Sequence, residues 1–170
     1  AIAESVNIPL LIYYTAAAGV NMSTDLFCRL FEIDNITGVK WTSSNYYELV
    51  KLRERCPDAN IFNGPDEMLI CGLSAGADGG IGSTYNIMYP TIRKIYDCFT
   101  AGDIAGAQVA QKKADKIINT ILKYSVIPVC KLVLEEYGIE VGNASFPMTT
   151  YSAAEKAQIL KDLAEAGLEL

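Results

Sequence analysis

A short apolar run, a polar loop and an amphipathic stretch recur four times in the first hundred residues, and this alternation restricts the fold more than any other feature. Ile8 to Tyr14 (IPLLIYY) is continuously apolar and rich in β-branched and aromatic side chains, which predicts a strand buried on both faces. Gly19 closes the following loop. Ser23 or Thr24 then N-caps a helix whose apolar stripe is Leu26, Phe27, Leu30 and Phe31. Ile36 to Trp41 (ITGVKW) is the second strand. Thr42-Ser43-Ser44-Asn45 offers cap side chains for a helix running to about Cys56, where Pro57 and Asp58 end it. Asn60-Ile61-Phe62 is the third strand. Pro65, Asp66 and Glu67 open the next helix, as the positive end of a helix dipole favours, and Gly76 stops it. Ala77 to Ile81 (ADGGI) gives a weak fourth strand, and Gly82-Ser83-Thr84 leads into a helix from about Tyr85 to Phe99.

Strand–loop–helix units at intervals of about 20 to 26 residues imply a parallel sheet with right-handed crossovers. After Gly102 the alternation stops. Ile104 to about Tyr124 and Val126 to Tyr137 are helical, the second ended by Gly138. Val141 to Tyr151 is an extended segment containing Pro. Ser152, with Glu155 three residues on, caps a final helix. The chain thus reads as α/β, with βα units in residues 1-100 and a C-terminal helical extension in residues 101-170. Four βα units make a small open sheet or half of a (β/α)8 TIM barrel. Uniform unit length favours the barrel, as do polar residues at the strand ends (Tyr13, Lys40, Asn63-Gly64, Ser83). The first strand is also followed by no Gly-rich dinucleotide fingerprint. The glycines from Gly76 to Gly82 lie in and after the fourth strand, where close backbone packing explains them.

Of the 170 residues, 51% are apolar and 20% charged, so the chain can bury a core. A net charge of −6 leaves no basic stripe for phosphates, which argues against a nucleic-acid partner. The sequence contains no His, which removes Ser-His-Asp triads, His general bases and His metal sites from its chemistry. Cys28, Cys56, Cys71, Cys98 and Cys130 are odd in number and form no CxxC pair. They read as buried free thiols in a reducing compartment. No apolar run reaches the ~18–20 residues that span a bilayer, so no membrane partner is expected. The opening AIAESVNIPLLIYY lacks the positive region of a signal peptide and reads as mid-domain sequence. A cytoplasmic setting is expected.

Lys40 is the outlier, a lysine at the C-terminal end of a strand otherwise built from Ile36, Val39 and Trp41. A lysine there is costly unless paired or neutral. It is either an edge lysine pointing to solvent or an amine with a pKa lowered by desolvation, able to attack a ketone and form a Schiff base. Barrel active sites gather at the C-terminal ends of strands, where Lys40 falls. Tyr13 and Tyr14 end the first strand and point opposite ways. One faces the barrel interior and the other the helices, and the residues leave open which. A phenol beside a Schiff-base lysine is suited to shuttling a proton. Thr42, two residues after Lys40, faces the same side in extended chain. Asp66 and Glu67 either cap their helix or hydrogen-bond sugar hydroxyls, and Ser83 and Thr84 read first as turn or cap residues. Lys51 to Arg55 and Lys112-Lys113 are solvated helix faces, and Trp41 is core.

Three blocks carry a resemblance: Gly38-Val39-Lys40-Trp41-Thr42-Ser43, Phe62-Asn63-Gly64-Pro65-Asp66-Glu67, and Gly76 to Asn86 (GADGGIGSTYN). In order and spacing they resemble the N-acetylneuraminate lyase (sialic acid aldolase) family, part of the pyruvate-dependent class I aldolase group that includes dihydrodipicolinate synthase. Ile8 to Tyr13 resembles the strand that ends in the family's catalytic tyrosine. The loop Thr15-Ala16-Ala17-Ala18-Gly19 departs from the family pattern. It is one residue short and lacks the usual Ile-Pro-Ala-Leu core. Ala17 and Ala18 stand where the synthase carries an arginine before the glycine, which makes the lyase the nearer match.

The resemblance implies the C-terminal half of a TIM barrel and a cofactor-free, metal-free Schiff-base aldolase. Lys40 would bind pyruvate covalently, Tyr13 would relay the proton, and Thr42 would lie close by. Gly64, Asp66, Glu67 and Ser83 would bind the hydroxylated tail of the sugar. Small-molecule partners would be sialic acid and pyruvate. By the same resemblance the protein would be a homo-oligomer, a tetramer, or would pair with an N-terminal half-barrel. The family's first four βα units, with the loop that anchors the pyruvate carboxylate, have no counterpart in this sequence. A chain that is part of a longer polypeptide, or whose missing half is a separate chain, is therefore expected. The alternatives are another pyruvate-dependent, dihydrodipicolinate synthase-like enzyme, or an inactive fragment acting as a binding partner.

Overall fold

Register decides what each strand residue does in this protein. The computed structural model describes residues 2–170. Up to Ile81, four parallel strands pair in chain order: β1 (Leu10–Thr15), β2 (Ile36–Thr42), β3 (Asn60–Asn63) and β4 (Gly79–Gly80). Between them run α1 (Thr24–Phe31), α2 (Tyr46–Arg55) and α3 (Leu69–Ser74). Ser23 Oγ accepts from the Leu26 amide and Asn45 Oδ1 from the Glu48 amide, so both expected caps form. Gly76 ends the α3 region with φ +97°, a conformation that favours glycine. The helix expected from Pro65 onward opens as a single 3-10 turn, Asp66–Met68, before α3.

Tyr13, Lys40, Phe62 and Gly79 align across the four strands, and Tyr14, Trp41, Asn63 and Gly80 form the next row. Successive rows point to opposite faces. One face carries the core: Tyr14, Val39, Trp41 and Ile61 pack with Phe27 of α1 and Leu49 and Leu52 of α2. Phe27 meets the Tyr14 ring edge-on at 5.3 Å, and Trp41 lies against Tyr14 at 4.8 Å. Burial of each such side chain contributes about 1.5–3 kcal/mol. On the opposite face Leu11 is 41% and Tyr13 64% exposed. The expectation that β1 is buried on both sides is therefore corrected. The helices of this segment all cover one face, so alternate residues of the strand stay open.

Arg53 of α2 secures the lower sheet. Its Nε donates to Gly76 O (2.8 Å), and its Nη1 donates to Pro57 O (2.7 Å) and Ala59 O (2.9 Å). Nη2 meets Asp78 Oδ2 at 2.6 Å, and the same oxygen accepts from the Ile61 amide. One guanidinium thus ties α2 to the loop that enters β3 and to the loop that enters β4. β4 itself shrinks to two glycines, shorter than the five residues Ala77 to Ile81 suggest.

Gly82–Leu170 is a second compact unit. It holds α4 (Tyr85–Thr100), α5 (Ile104–Ile121), α6 (Val126–Glu136) and α7 (Ala153–Ala166). α4 breaks at Met88 (φ −137°, ψ 34°), two residues before Pro90, whose ring and missing N–H oppose a continuous helix. It packs most extensively on α5, so packing divides the chain at Ile81/Gly82, whereas the βα count divides it at residue 100. Ile95, Ile117, Ile121, Val129, Ile159 and Leu163 fill this unit's core. Ser152 and Glu155 form the expected capping box. No single helix among the described residues is long and apolar enough to cross a membrane. α5 and α6 reach that length and apolarity only jointly, across a 107° bend. All five Cys are free thiols, but only Cys130 is buried. Cys28, Cys56, Cys71 and Cys98 are partly exposed, which corrects the fully buried reading.

Candidate active site

The open face brings Lys40 and Tyr13 together. They are direct register partners, and Lys40 Nζ lies over the Tyr13 ring, 4.6 Å from its centroid. Lys40 is half-buried and Tyr13 largely exposed. Tyr14 occupies the other row, 6% exposed against Phe27 and Trp41, with its hydroxyl 3.5 Å from Asn21 Oδ1. Alternation along β1 thereby separates the two tyrosines that the sequence left open. Tyr13 shares a face with the lysine, and Tyr14 belongs to the core.

Thr42 follows Lys40 at the spacing that keeps it on the same face, and β3 brings Gly64 against it. The Gly64 amide donates to Trp41 O at 2.8 Å, and a Cβ on Gly64 would lie 2.1 Å from Thr42 Oγ1. No side chain fits there, which is the physical reason for glycine at this strand end. Thr42 Oγ1 is buried without a hydrogen-bond partner in the structure. A buried hydroxyl retains full capacity to donate and accept.

The loop after Gly64 is held from behind by a network that sequence reasoning missed. Asn63 is fully buried, and its Nδ2 donates to Pro65 O at 2.6 Å. Tyr46, the first residue of α2, donates to Asn63 Oδ1 (3.0 Å) and lies 3.3 Å from Met68 O. Burial, with smaller contributions from Cys71 and Glu67, pushes the Tyr46 phenol well above its ordinary range. The phenol therefore remains a donor. Gly72 backs the same amide, since a Cβ there would lie 2.4 Å from Asn63 Oδ1. Asn63 beside Gly64-Pro65 hints at a fixed turn, but nothing local to Tyr46 reveals where its hydroxyl goes.

Asp66 is buried at the start of the 3-10 turn and Glu67 is exposed beside it. Ser83 belongs to the second unit, half-buried before α4, where its carbonyl accepts from Asn86 Nδ2 (2.9 Å) and faces Cys130 Sγ at 3.7 Å. Among the described residues no group of three His, Cys, Asp or Glu side chains assembles that would hold a metal ion. Chemically, the unit up to Ile81 presents an amine, a phenol and an unpaired hydroxyl at the C-terminal ends of adjacent parallel strands. That set suits covalent carbonyl chemistry with local proton transfer.

Known proteins share this fold. The chain is 39% identical to the N-acetylneuraminate lyase of Lactiplantibacillus plantarum over 149 residues, covering 87% of this chain and 51% of the relative. Among solved structures, CdNal from Clostridium difficile in complex with mannosamine superposes with a TM-score of 0.91 at 34% identity. The match covers 97% of this chain and 57% of that one. The N-acetylneuraminate lyase of Fusobacterium nucleatum complexed with pyruvate gives 0.85 at 34% identity, covering 95% and 55%. The chain thus spans about half the length of the relatives it matches. Its fold is half of a (β/α)8 TIM barrel followed by a helical C-terminal region. The dihydrodipicolinate synthetase family matches residues 1–166, and with the aligned strands, the Lys40–Tyr13 pair and these relatives it shows that the chain belongs to that family.

Proposed function

We propose that this chain carries the Schiff-base half of an N-acetylneuraminate lyase, which cleaves N-acetylneuraminate to N-acetylmannosamine and pyruvate. The observation that carries the reading is Lys40 Nζ over the Tyr13 ring on the open face of the sheet, beside the unpaired Thr42 hydroxyl. In this reading the Lys40 amine condenses with the ketone, releasing water. The resulting iminium accepts the electron pair of the breaking carbon–carbon bond. The Tyr13 phenol carries the proton between the departing sugar hydroxyl and the three-carbon fragment. Thr42 donates to the bound keto acid, and Gly64, Asp66, Glu67 and Ser83 bind the hydroxylated tail. Residues 1-100 supply the βα units and 101-170 the helical extension. A half-barrel supplying the first four βα units completes the site, and the whole is a cytoplasmic homo-oligomer without metal or cofactor.

The test is trapping with pyruvate and borohydride, read by intact-mass and peptide mass spectrometry. It is run on the chain alone and on the chain mixed with the N-terminal half of a relative. A reduced adduct on Lys40 in either sample, absent in Lys40→Met, supports the reading. An unmodified Lys40 in both, with the native fold intact, sinks it. The open face favours one second reading, a catalytically inactive chain that completes a partner's barrel. That reading predicts a stable complex with the N-terminal half and no adduct.

A further inference from the structure

On the helical side of the sheet, away from Lys40, two cysteines from different helices meet. Cys28 lies in α1, one turn after Asp25, and Cys56 follows Arg55 directly at the end of α2. Arg55 Nη1 is paired with the Asp25 carboxylate, which clamps these two turns together. Both cysteines pack at the margin of the Tyr14–Phe27–Trp41 core, and their thiols interact with one another. Each is partly exposed, so a small reagent reaches it.

We propose that Cys28 and Cys56 are a thiol–disulfide exchange site, converted to an intramolecular disulfide by low-molecular-weight disulfides of the glutathione type. The step balances as two protein thiols plus one RSSR giving one protein disulfide plus two RSH. The first sulfur displaces RS⁻ from RSSR and forms a mixed disulfide. The second displaces the remaining RS⁻, and both thiol protons end on the two RSH. Two electrons pass from the protein sulfurs to the oxidant. Burial, then the neighbouring thiol, pushes Cys56 up to about 11, so Cys28 attacks first, and Cys56 gives up its proton to the departing thiolate as its sulfur closes the disulfide. Arg55, held to these turns by Asp25, favours negative charge on Cys56.

The ring that closes runs from Cys28 through the whole of β2, Lys40 and Thr42 included, to Cys56. A cross-link there removes unfolded-state freedom from the strand that carries the lysine. This inference does not depend on the aldolase reading.

The test is incubation with oxidised glutathione, blocking of residual thiols, and mass spectrometry of the intact and digested protein. The expected product is two hydrogens lighter, has three alkylatable thiols in place of five, and yields one peptide pair linked through Cys28 and Cys56. Cys28→Ser and Cys56→Ser each stop short of this product, and Cys56→Ser retains one glutathionyl group on Cys28. Cys28→Ala and Cys56→Ala serve if a serine variant misfolds. Oxidation is expected to raise Tm by about 5 °C or more, reversed by dithiothreitol. Separate glutathionyl groups on both residues of the wild type, or no reaction with the fold retained, would overturn the proposal.

Discussion

The two faces of the sheet are made from alternate residues of the same strands, yet they are specialised in opposite ways. On the helix side Tyr14, Val39, Trp41 and Ile61 are buried among aromatic and aliphatic neighbours. On the other side Tyr13 and Lys40 touch each other and little else covers them. A shift of one position along β1 separates a core tyrosine from one that meets the lysine. The core and the proposed chemistry thus occupy opposite parities of one short strand, and each is expected to be altered with little effect on the other.

Substitutions on the two faces test that separation. The largest effect belongs to Trp41→Ala, which empties the centre of the helix-side core. It is expected to cost about 3–5 kcal/mol by urea denaturation. A loss below about 1 kcal/mol would mean that the covered face is not the stabilising one. Gly64→Ala comes next, because its Cβ would collide with Thr42 Oγ1, Cα and Cβ together. Overpacking of that kind costs about 1–3 kcal/mol, and Thr42→Ser in the same chain should not relieve it, since backbone and Cβ contacts remain. Asn63→Ala leaves the Tyr46 hydroxyl and Pro65 carbonyl short of a partner, for about 1–3 kcal/mol.

A pH series sharpens the comparison further. The Tyr46 phenol is raised in the folded state, so its contribution is intact below the unfolded value of about 10 and declines as pH rises above it. Wild type should therefore lose stability more steeply than Tyr46→Phe above that pH. Parallel curves would remove Tyr46 from the account. The smallest effects belong to the open face. Tyr13→Phe and Lys40→Met should each change folding stability by less than about 0.5 kcal/mol while abolishing or slowing adduct formation. A large loss of stability in either would erase the distinction between the faces.

Much of this was legible locally. The four strand–helix units follow from short apolar runs bounded by cap residues, and Ser23, Asn45 and the Ser152–Glu155 box each act within three or four residues of sequence. The choice between Tyr13 and Tyr14 was not, because it depends on strand parity relative to helices elsewhere in the chain. The open face of β1 escaped for the same reason: a continuous apolar run looks alike whether one face or two are covered. Tyr46 went unnoticed because its partner is seventeen positions away, across a strand. Pro90 was visible, but the break it accompanies falls two residues earlier, at Met88, where the sequence carries no mark.

Arg53 has a consequence for how this sequence can drift. Its guanidinium serves three backbone carbonyls and one carboxylate at once, in four directions fixed by one rigid plane. Lysine brings the same charge but a single nitrogen on a flexible stem, so it cannot reach all four acceptors from one position. The codon for arginine at this site is therefore walled in: the chemically gentlest replacement already leaves carbonyls unserved. Descendants of this chain can wander over its exposed helix faces, but at residue 53 they have almost nowhere to go.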